Sequence, residues 1–305
     1  MASIVVIGSA NTDMTVRVDR LPGMNETVFG GEALVSFGGK GANQALAALK
    51  AGEEVFFLSR IGTDPNGERL CRHLTASGLA YAGLLRDEAV PSGLALIAVD
   101  SAGNNQIVVA PGSNQALRPG DVHSIEPELE KAKVVLVQLE IPLETAAEAL
   151  RLGRSLGLTT ILDPAPALAL PMDLYPLIDI LTPNEPEAAA LTGLKLGTED
   201  QAEAAGQALV ERGCGSVLVT RGEHGVVLCR GQGKSHIPAF EVEAVDSVAA
   251  GDAFNGALAA ALCRGIPLEE AACFAAAAGA LCAAKRGAQE ALPDRAAIER
   301  LQTGC

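Results

Sequence analysis

Residues 246–257 read Asp246-Ser247-Val248-Ala249-Ala250-Gly251-Asp252-Ala253-Phe254-Asn255-Gly256-Ala257. A strand-like segment, Phe240–Val245, runs into this stretch, and an Ala-rich helical pattern, Asp252–Cys263, runs out of it. The small residues Ala249, Ala250 and Gly251 let a ligand come close to the backbone. The helix start behind them presents unpaired N–H groups and the positive end of its dipole. Together they describe an anion hole for a phosphoryl group. Asp252 falls in the first helical turn. Either it caps the helix, or it accepts the proton of a substrate hydroxyl while the hole steadies the phosphate in flight.

The same alternation extends along the chain. Short apolar runs predict strands at Ile4–Ile7, Val55–Leu58, Val134–Leu139, Thr159–Leu162, Ile178–Leu181 and Val217–Thr220. Helical patterns fall at Lys40–Ala51, Gly67–Ala76, Glu144–Ser155, Glu185–Leu191, Asp200–Arg212, Leu268–Ala284 and Asp294–Gln302. This order predicts an α/β fold: a three-layer, mainly parallel sheet with helices on both faces. Asn11–Ser36 and Ser92–Ala110 lack helical periodicity and read as strands of a small separate β-sheet, either surface hairpins or a lid over a site. With no repeat and no charged linker, the expectation is one domain over residues 1–305, carrying lid segments at about 11–36 and 92–110.

A second glycine-rich stretch, Phe37-Gly38-Gly39-Lys40-Gly41-Ala42-Asn43-Gln44-Ala45, precedes a strong helix. Its glycines allow backbone contact with a polar ligand, and Asn43 offers both donors and an acceptor to vicinal hydroxyls. Asn11 and Asp13 follow the first strand, where ligands of open α/β sheets sit; a turn pair is the plainer alternative. The Walker pattern fails because Gly41 follows Lys40, and neither GxGxxG nor GxSxG occurs.

A net charge of −14 leaves no basic stripe for nucleic acid or an anionic membrane surface. An anionic nucleotide would need local help from backbone N–H groups and a metal. Seven scattered cysteines without a CxxC pair suit reduced thiols. The start Met1-Ala2-Ser3 lacks the basic region of a signal peptide, and Ala271–Ala284 is too short to span a bilayer. A cytoplasmic protein is expected.

From Gly8 to Pro293 the chain resembles the PfkB-type carbohydrate kinases. Residues 37–45 and 249–252 match that family's two signature segments in order and spacing. Further matches are Gln138-Leu139-Glu140, Asn184-Glu185-Pro186-Glu187, Thr220-Arg221-Gly222-Glu223-His224-Gly225 and Arg286-Gly287-Ala288-Gln289. The resemblance implies ATP-dependent phosphorylation of a small sugar, ribose at O5 in first place, with Asp252 as base and residues 249–251 as the anion hole. Related kinases acting on deoxyribose, a nucleoside, pseudouridine or fructose are the alternatives, and a non-catalytic sugar or nucleotide sensor is a further one. By the same resemblance Asn11, Asp13, Gly39, Lys40, Asn43 and Glu140 would hold the sugar. Asn184 and Glu187 would organise Mg²⁺ through water, and Asn184, Thr220, Gly222, Gly225, Gly251 and Ala276 would line the nucleotide site. A potassium site is implied at the Asp246 carboxylate and the carbonyls of Val248, Cys282, Lys285 and Gly287. Ala291 stands where a side-chain hydroxyl often completes that site, and Ala276 where His or Asn is common beside adenine. A homodimer through the β lid is also implied.

Overall fold

The computed structural model describes residues 2–302. The strands are β1 (Ile4–Ile7), β2 (Asn11–Val18), β3 (Gly30–Gly38), β4 (Val55–Gly62), β5 (Leu84–Asp87), β6 (Gly93–Val99), β7 (Asn105–Ala110), β8 (Val134–Gln138), β9 (Thr159–Asp163), β10 (Ile180–Leu181), β11 (Ser216–Thr220), β12 (Val226–Arg230) and β13 (Gly233–Ile237). The helices are α1 (Lys40–Lys50), α2 (Pro65–Ala76), α3 (Pro119–Ser124), α4 (Glu126–Leu129), α5 (Leu143–Ser155), α6 (Glu185–Thr192), α7 (Glu199–Glu211), α8 (Ala250–Cys263), α9 (Leu268–Ala283) and α10 (Arg295–Gln302).

Nine strands form one sheet in the order β13-β12-β11-β10-β9-β8-β1-β4-β5. It is parallel from β11 to β5, with Ile4 of β1 opposite Val55 of β4 and Val134 of β8. Its central strands are apolar on both faces because helices cover both. One core packs α1, α8 and α9 on the sheet around Phe57, Leu218, Phe254 and Phe274; the other packs α5 and α7 around Leu58, Tyr175 and Val217.

The second sheet has the order β3-β2-β6-β7 and joins β2 to β6 in parallel, the other pairs being antiparallel. Its strands lie in the two stretches that lack helical periodicity.

Four details differ from the sequence expectations. Phe240–Val245 forms no strand. The edge of the large sheet is instead the antiparallel hairpin β12–β13, whose second strand is mostly exposed and polar and so gives a weak apolar signal. Helix α2 starts two residues early, because Pro65 occupies its first turn and Asp64 Oδ1 accepts the N–H of Asn66 and Gly67 at 3.0 and 3.3 Å. The thiols of Cys71, Cys214, Cys229, Cys263 and Cys282 are free and buried, whereas Cys273 is disulfide-bonded. Cys305 lies outside the described residues. Among the described residues no helix is long and apolar enough to cross a membrane.

Helices α1 and α8 touch closely because both are lined with small residues. A Cβ on Gly256 would lie 2.5 Å from Ala47 Cβ and from the Gln44 carbonyl. That approach carries Asn43 and Gln44 of α1 onto Asp252 of α8.

Candidate active site

Asp252 is 6% exposed and held from both sides. Its Oδ2 accepts Asn43 Nδ2 at 2.8 Å and its Oδ1 accepts Gln44 Nε2 at 3.0 Å. Gln44 Nε2 also donates to Asp163 Oδ2 at 2.7 Å, and Gln44 Oε1 accepts Gln138 Nε2 at 2.6 Å. Burial pushes the Asp252 carboxyl up, opposed by the Lys40 ammonium and the two amides. A base whose proton affinity is raised but whose charge keeps three supporters suits proton abstraction from an alcohol.

The turn before α8 has the shape of a cradle. Ala249 is left-handed, with φ of +59°. Ala250 N–H donates to Ser247 O at 3.2 Å and Ala253 N–H to Ala249 O at 2.8 Å, while the N–H groups of Gly251 and Asp252 between them donate to nothing among the described residues. Asn255 Nδ2 holds the Gly251 carbonyl at 3.0 Å, and Thr182 Oγ1, at the end of β10, donates to Asn255 Oδ1 at 2.7 Å.

A second group of polar residues gathers beyond β1 and along the start of β2. Asn11 Oδ1 accepts Asn114 Nδ2 at 2.7 Å, and Asn114 Oδ1 accepts the Ala10 N–H at 2.9 Å. Glu140 Oε2 accepts Ser9 Oγ and, at 3.1 Å, the Lys40 N–H. A Cβ on Gly38 would lie 2.3 Å from Asp13 Oδ2, so a side chain there would displace that carboxylate. Gly39, at φ +89°, has no room either: a Cβ would meet Asn11 N at 2.8 Å. Burial, helped by Glu140 and Glu290, pushes the Asp13 carboxyl up to about 6.

A cavity of about 190 Å³ opens on the cradle side, where Lys40, Asp163, Asn184, Glu187, Thr220 and Asp252 line it; Asn11, Asp13, Asn43 and Glu140 are not among its lining residues. Burial alone would pull Lys40 down, but Asp252, Asp163, Glu140 and Glu187 outweigh it and keep the ammonium charged. Asp163, which no sequence motif flagged, is pushed up to about 8, first by burial and then by Glu187 and Asp252. Asn184 and Glu187 form a reciprocal capping box on α6: Asn184 Oδ1 accepts the Glu187 N–H at 2.8 Å, and Glu187 Oε2 accepts the Asn184 N–H at 2.9 Å. Both residues line the cavity, and the second Glu187 carboxylate oxygen is a further acceptor on that side chain. No cluster of three or more His, Cys, Asp or Glu poised for a metal occurs among the described residues. A magnesium ion would therefore depend on phosphate oxygens and water, which its chemistry favours.

Thr220 ends β11 beside Asn184, its N–H donating to Pro183 O at 2.9 Å. Gly222 and Gly225 follow in left-handed turns at φ +56° and +79°, and a Cβ on Gly225 would lie 2.2 Å from Ile237 O. Ala276 lies on α9, half-buried against the core. The Asp246 carboxylate ties two loops together, Oδ1 accepting the Val248 N–H and Oδ2 the Gly287 N–H, both at 3.1 Å. The Val248 carbonyl accepts Cys282 Sγ at 3.6 Å and the Cys282 carbonyl the Lys285 N–H at 3.1 Å, each keeping a lone pair. One carboxylate among carbonyls fits a hard monovalent cation; Ala291, fully buried, adds no oxygen from its side chain. A larger, open hollow of about 410 Å³ beside His236, Glu269, Glu270 and Glu299 contains none of these residues, and its carboxylates would repel a phosphate.

A buried carboxylate at a helix start, unpaired amides before it and a charged lysine opposite, at the carboxyl ends of a parallel sheet, define a phosphotransferase of the ribokinase-like fold. A profile of the pfkB family carbohydrate kinases matches residues 1–295, and the chain belongs to that family. It is 37% identical over 294 residues to a ribokinase of Haemophilus influenzae, covering 96% of each chain. It is 36% identical over 257 residues to a deoxyribokinase of Salmonella typhi, covering 84% of each. The structure of Arabidopsis thaliana ribokinase complexed with ribose and ATP superposes with a TM-score of 0.91 at 32% identity, covering 99% of both chains.

Proposed function

We propose that this chain transfers the γ-phosphate of ATP to O5 of ribose, giving ribose 5-phosphate and ADP. The observation that carries this reading is Asp252, buried and fixed by two amides, at the mouth of the 249–252 cradle and in one cavity with Lys40. Asp252 takes the O5 proton, O5 attacks the γ-phosphorus in line, and the bond from that phosphorus to the β–γ bridging oxygen breaks. The Gly251 and Asp252 N–H groups and the Lys40 ammonium receive the charge that develops on the phosphoryl oxygens.

Asn11, Asp13, Asn43 and Glu140, with the backbone at Gly39, hold the sugar, and Thr220, Gly222, Gly225 and Ala276 hold the nucleotide. Asn184 and Glu187 would steady, through water, a magnesium ion bound with ATP, and that ion would supply further neutralisation of phosphate charge. A monovalent cation at Asp246, Val248, Cys282, Lys285 and Gly287 would brace the cradle from behind. A reaction that consumes ATP and leaves a charged sugar phosphate suits the cytoplasm.

The small sheet acts as the lid of a single catalytic domain. Leu34, Leu96, Ile107, Val108 and Val109 are exposed on it, and a second copy of the chain covers them in a homodimer.

The relationship to a deoxyribokinase gives 2-deoxyribose as the second reading. ADP release measured with ribose, 2-deoxyribose, fructose and nucleosides tests both. Ribose is expected to lead in kcat/KM; leadership by another substrate overturns the assignment of the sugar, and turnover of none overturns the enzyme.

A further inference from the structure

Asp252 can only accept hydrogen bonds when ionised, and this fixes a directed chain of side chains behind it. Asn43 must turn Nδ2 toward Asp252, which leaves Asn43 Oδ1 as an acceptor for Gln289 Nε2 at 3.0 Å. Gln289 then offers Oε1 to His73, whose Nε2 stands 2.7 Å away and must carry the proton. Every donor in the series points toward the base, so each bond polarises the next. Asn43, Gln289 and Asp252 are all buried, so a reversed amide here finds no water to repair it.

The series is anchored in its middle, at Gln289, and at its outer end, at His73. Lys50 Nζ grips the backbone carbonyls of Gln289 and Leu292 at 2.9 and 3.1 Å, fixing where the Gln289 side chain begins. The His73 ring stacks on Phe37, near the end of β3 in the small sheet, with centroids 4.4 Å apart and planes 24° apart.

We infer that Gln289 is a positioning residue for phosphoryl transfer: backed by His73, it locks the Asn43 amide in the one orientation that presents Nδ2 to the Asp252 base. Gln289 touches no reacting atom and acts through Asn43. The inference rests on the proposed role of Asp252 and adds a requirement of its own, that the residue at 289 carry a donor.

Steady-state kinetics with ribose and ATP test it on the wild type, Gln289→Leu, Gln289→Glu, Asn43→Ala and the Asn43→Ala/Gln289→Leu double variant. Gln289→Leu should lower kcat roughly tenfold, the loss of one buried hydrogen bond, and leave KM for ATP within about twofold. Gln289→Glu keeps the shape but has no N–H to give and draws Asn43 Nδ2 away from the base. It should lose more than Gln289→Leu, whereas a residue that only fills space would rank the two in the opposite order. On the Asn43→Ala background Gln289→Leu should cost nothing further. His73→Phe, which keeps the stack on Phe37, should lower kcat a few-fold.

A Gln289→Glu variant as active as the wild type overturns the inference, and so does an undiminished effect of Gln289→Leu without Asn43. Should Gln289→Leu not fold, the Gln289→Glu comparison decides alone. A wild-type enzyme inert toward every sugar would overturn the functional reading itself and this inference with it. An active wild type with an indifferent residue 289 overturns this inference only.

Discussion

Asp163 and Asp252 meet at a single donor: Gln44 Nε2 lies 2.7 Å from Asp163 Oδ2 and 3.0 Å from Asp252 Oδ1. Two carboxylates that share one amide nitrogen beside one lysine are not equivalent. Burial pushes both up, Asp163 to about 8, and Asp252 has in Asn43 a second amide supporting its charged form.

The shift at Asp163 has a sign in stability. Its folded value lies above the ordinary carboxylate value of 3.8, so between that value and about 8 the folded state binds more protons than the unfolded chain. Stability from this group therefore falls as pH rises through that window. Asp163→Asn, which keeps an oxygen for Gln44, should flatten the decline of Tm between pH 5 and pH 8 and raise Tm above pH 8. Parallel Tm curves for the two proteins would show that Asp163 does not titrate in this way.

Asp252→Asn should lower kcat by about three orders of magnitude while KM for ribose changes only a few-fold, because a neutral amide fills the same space but takes no proton. ADP release under saturating ribose and ATP measures this, and near-normal turnover would remove Asp252 from the chemistry.

Asp13, raised to about 6, should be the acid-sensitive part of sugar binding. Below that value it protonates and loses an acceptor, so KM for ribose should climb as pH falls from 7 to 5. Asp13→Asn should weaken ribose binding about a hundredfold at pH 7, by leaving buried hydroxyls short of partners. Its KM should no longer depend on pH in that range; a pH dependence that survives the substitution assigns it to another group.

Gly256 lets α1 and α8 close on each other, with space for no side chain against Ala47 and Gln44. Gly256→Val should destabilise the protein by about 3 kcal/mol, read as a lowered denaturation midpoint. The folded fraction should also show a reduced kcat, since Asn43 and Gln44 are carried away from Asp252. Unchanged stability would mean that the helices shift apart without penalty.

Val108, 66% exposed on β7, tests the proposed dimer interface. Val108→Lys should convert a dimer to a monomer in analytical ultracentrifugation. A wild type that sediments as a monomer at all concentrations would exclude the interface.

The sequence made one half of this site legible and hid the other. Residues 249–252 and 37–43 announce themselves because backbone cradles need small residues in contiguous runs, and such runs survive as words. The central strands are equally plain, because double-sided burial leaves unbroken apolar runs such as Ile4–Ile7. Asn114 and Asp163 carry no such mark, and Gln44 and Asn255 lie inside the quoted stretches without showing which partners they take. Each is a lone polar residue whose meaning comes from a partner far along the chain, as Gln44 with Asp252, 208 positions away. Phe240–Val245 failed for a related reason: apolar residues there suit a strand, yet among the described residues no strand pairs with them, and the Val245 N–H is tied instead to the Ala283 carbonyl at 2.8 Å.

Ala249, turned left-handed at φ +59° with a side chain that makes this uncomfortable by about 1 kcal/mol, has a consequence for timing. The tension is set once, as the chain acquires its shape, and Asn255 with Thr182 keeps the turn from relaxing. An arriving phosphate would then meet amides already aimed, and no part of the barrier of each cycle would go into arranging them.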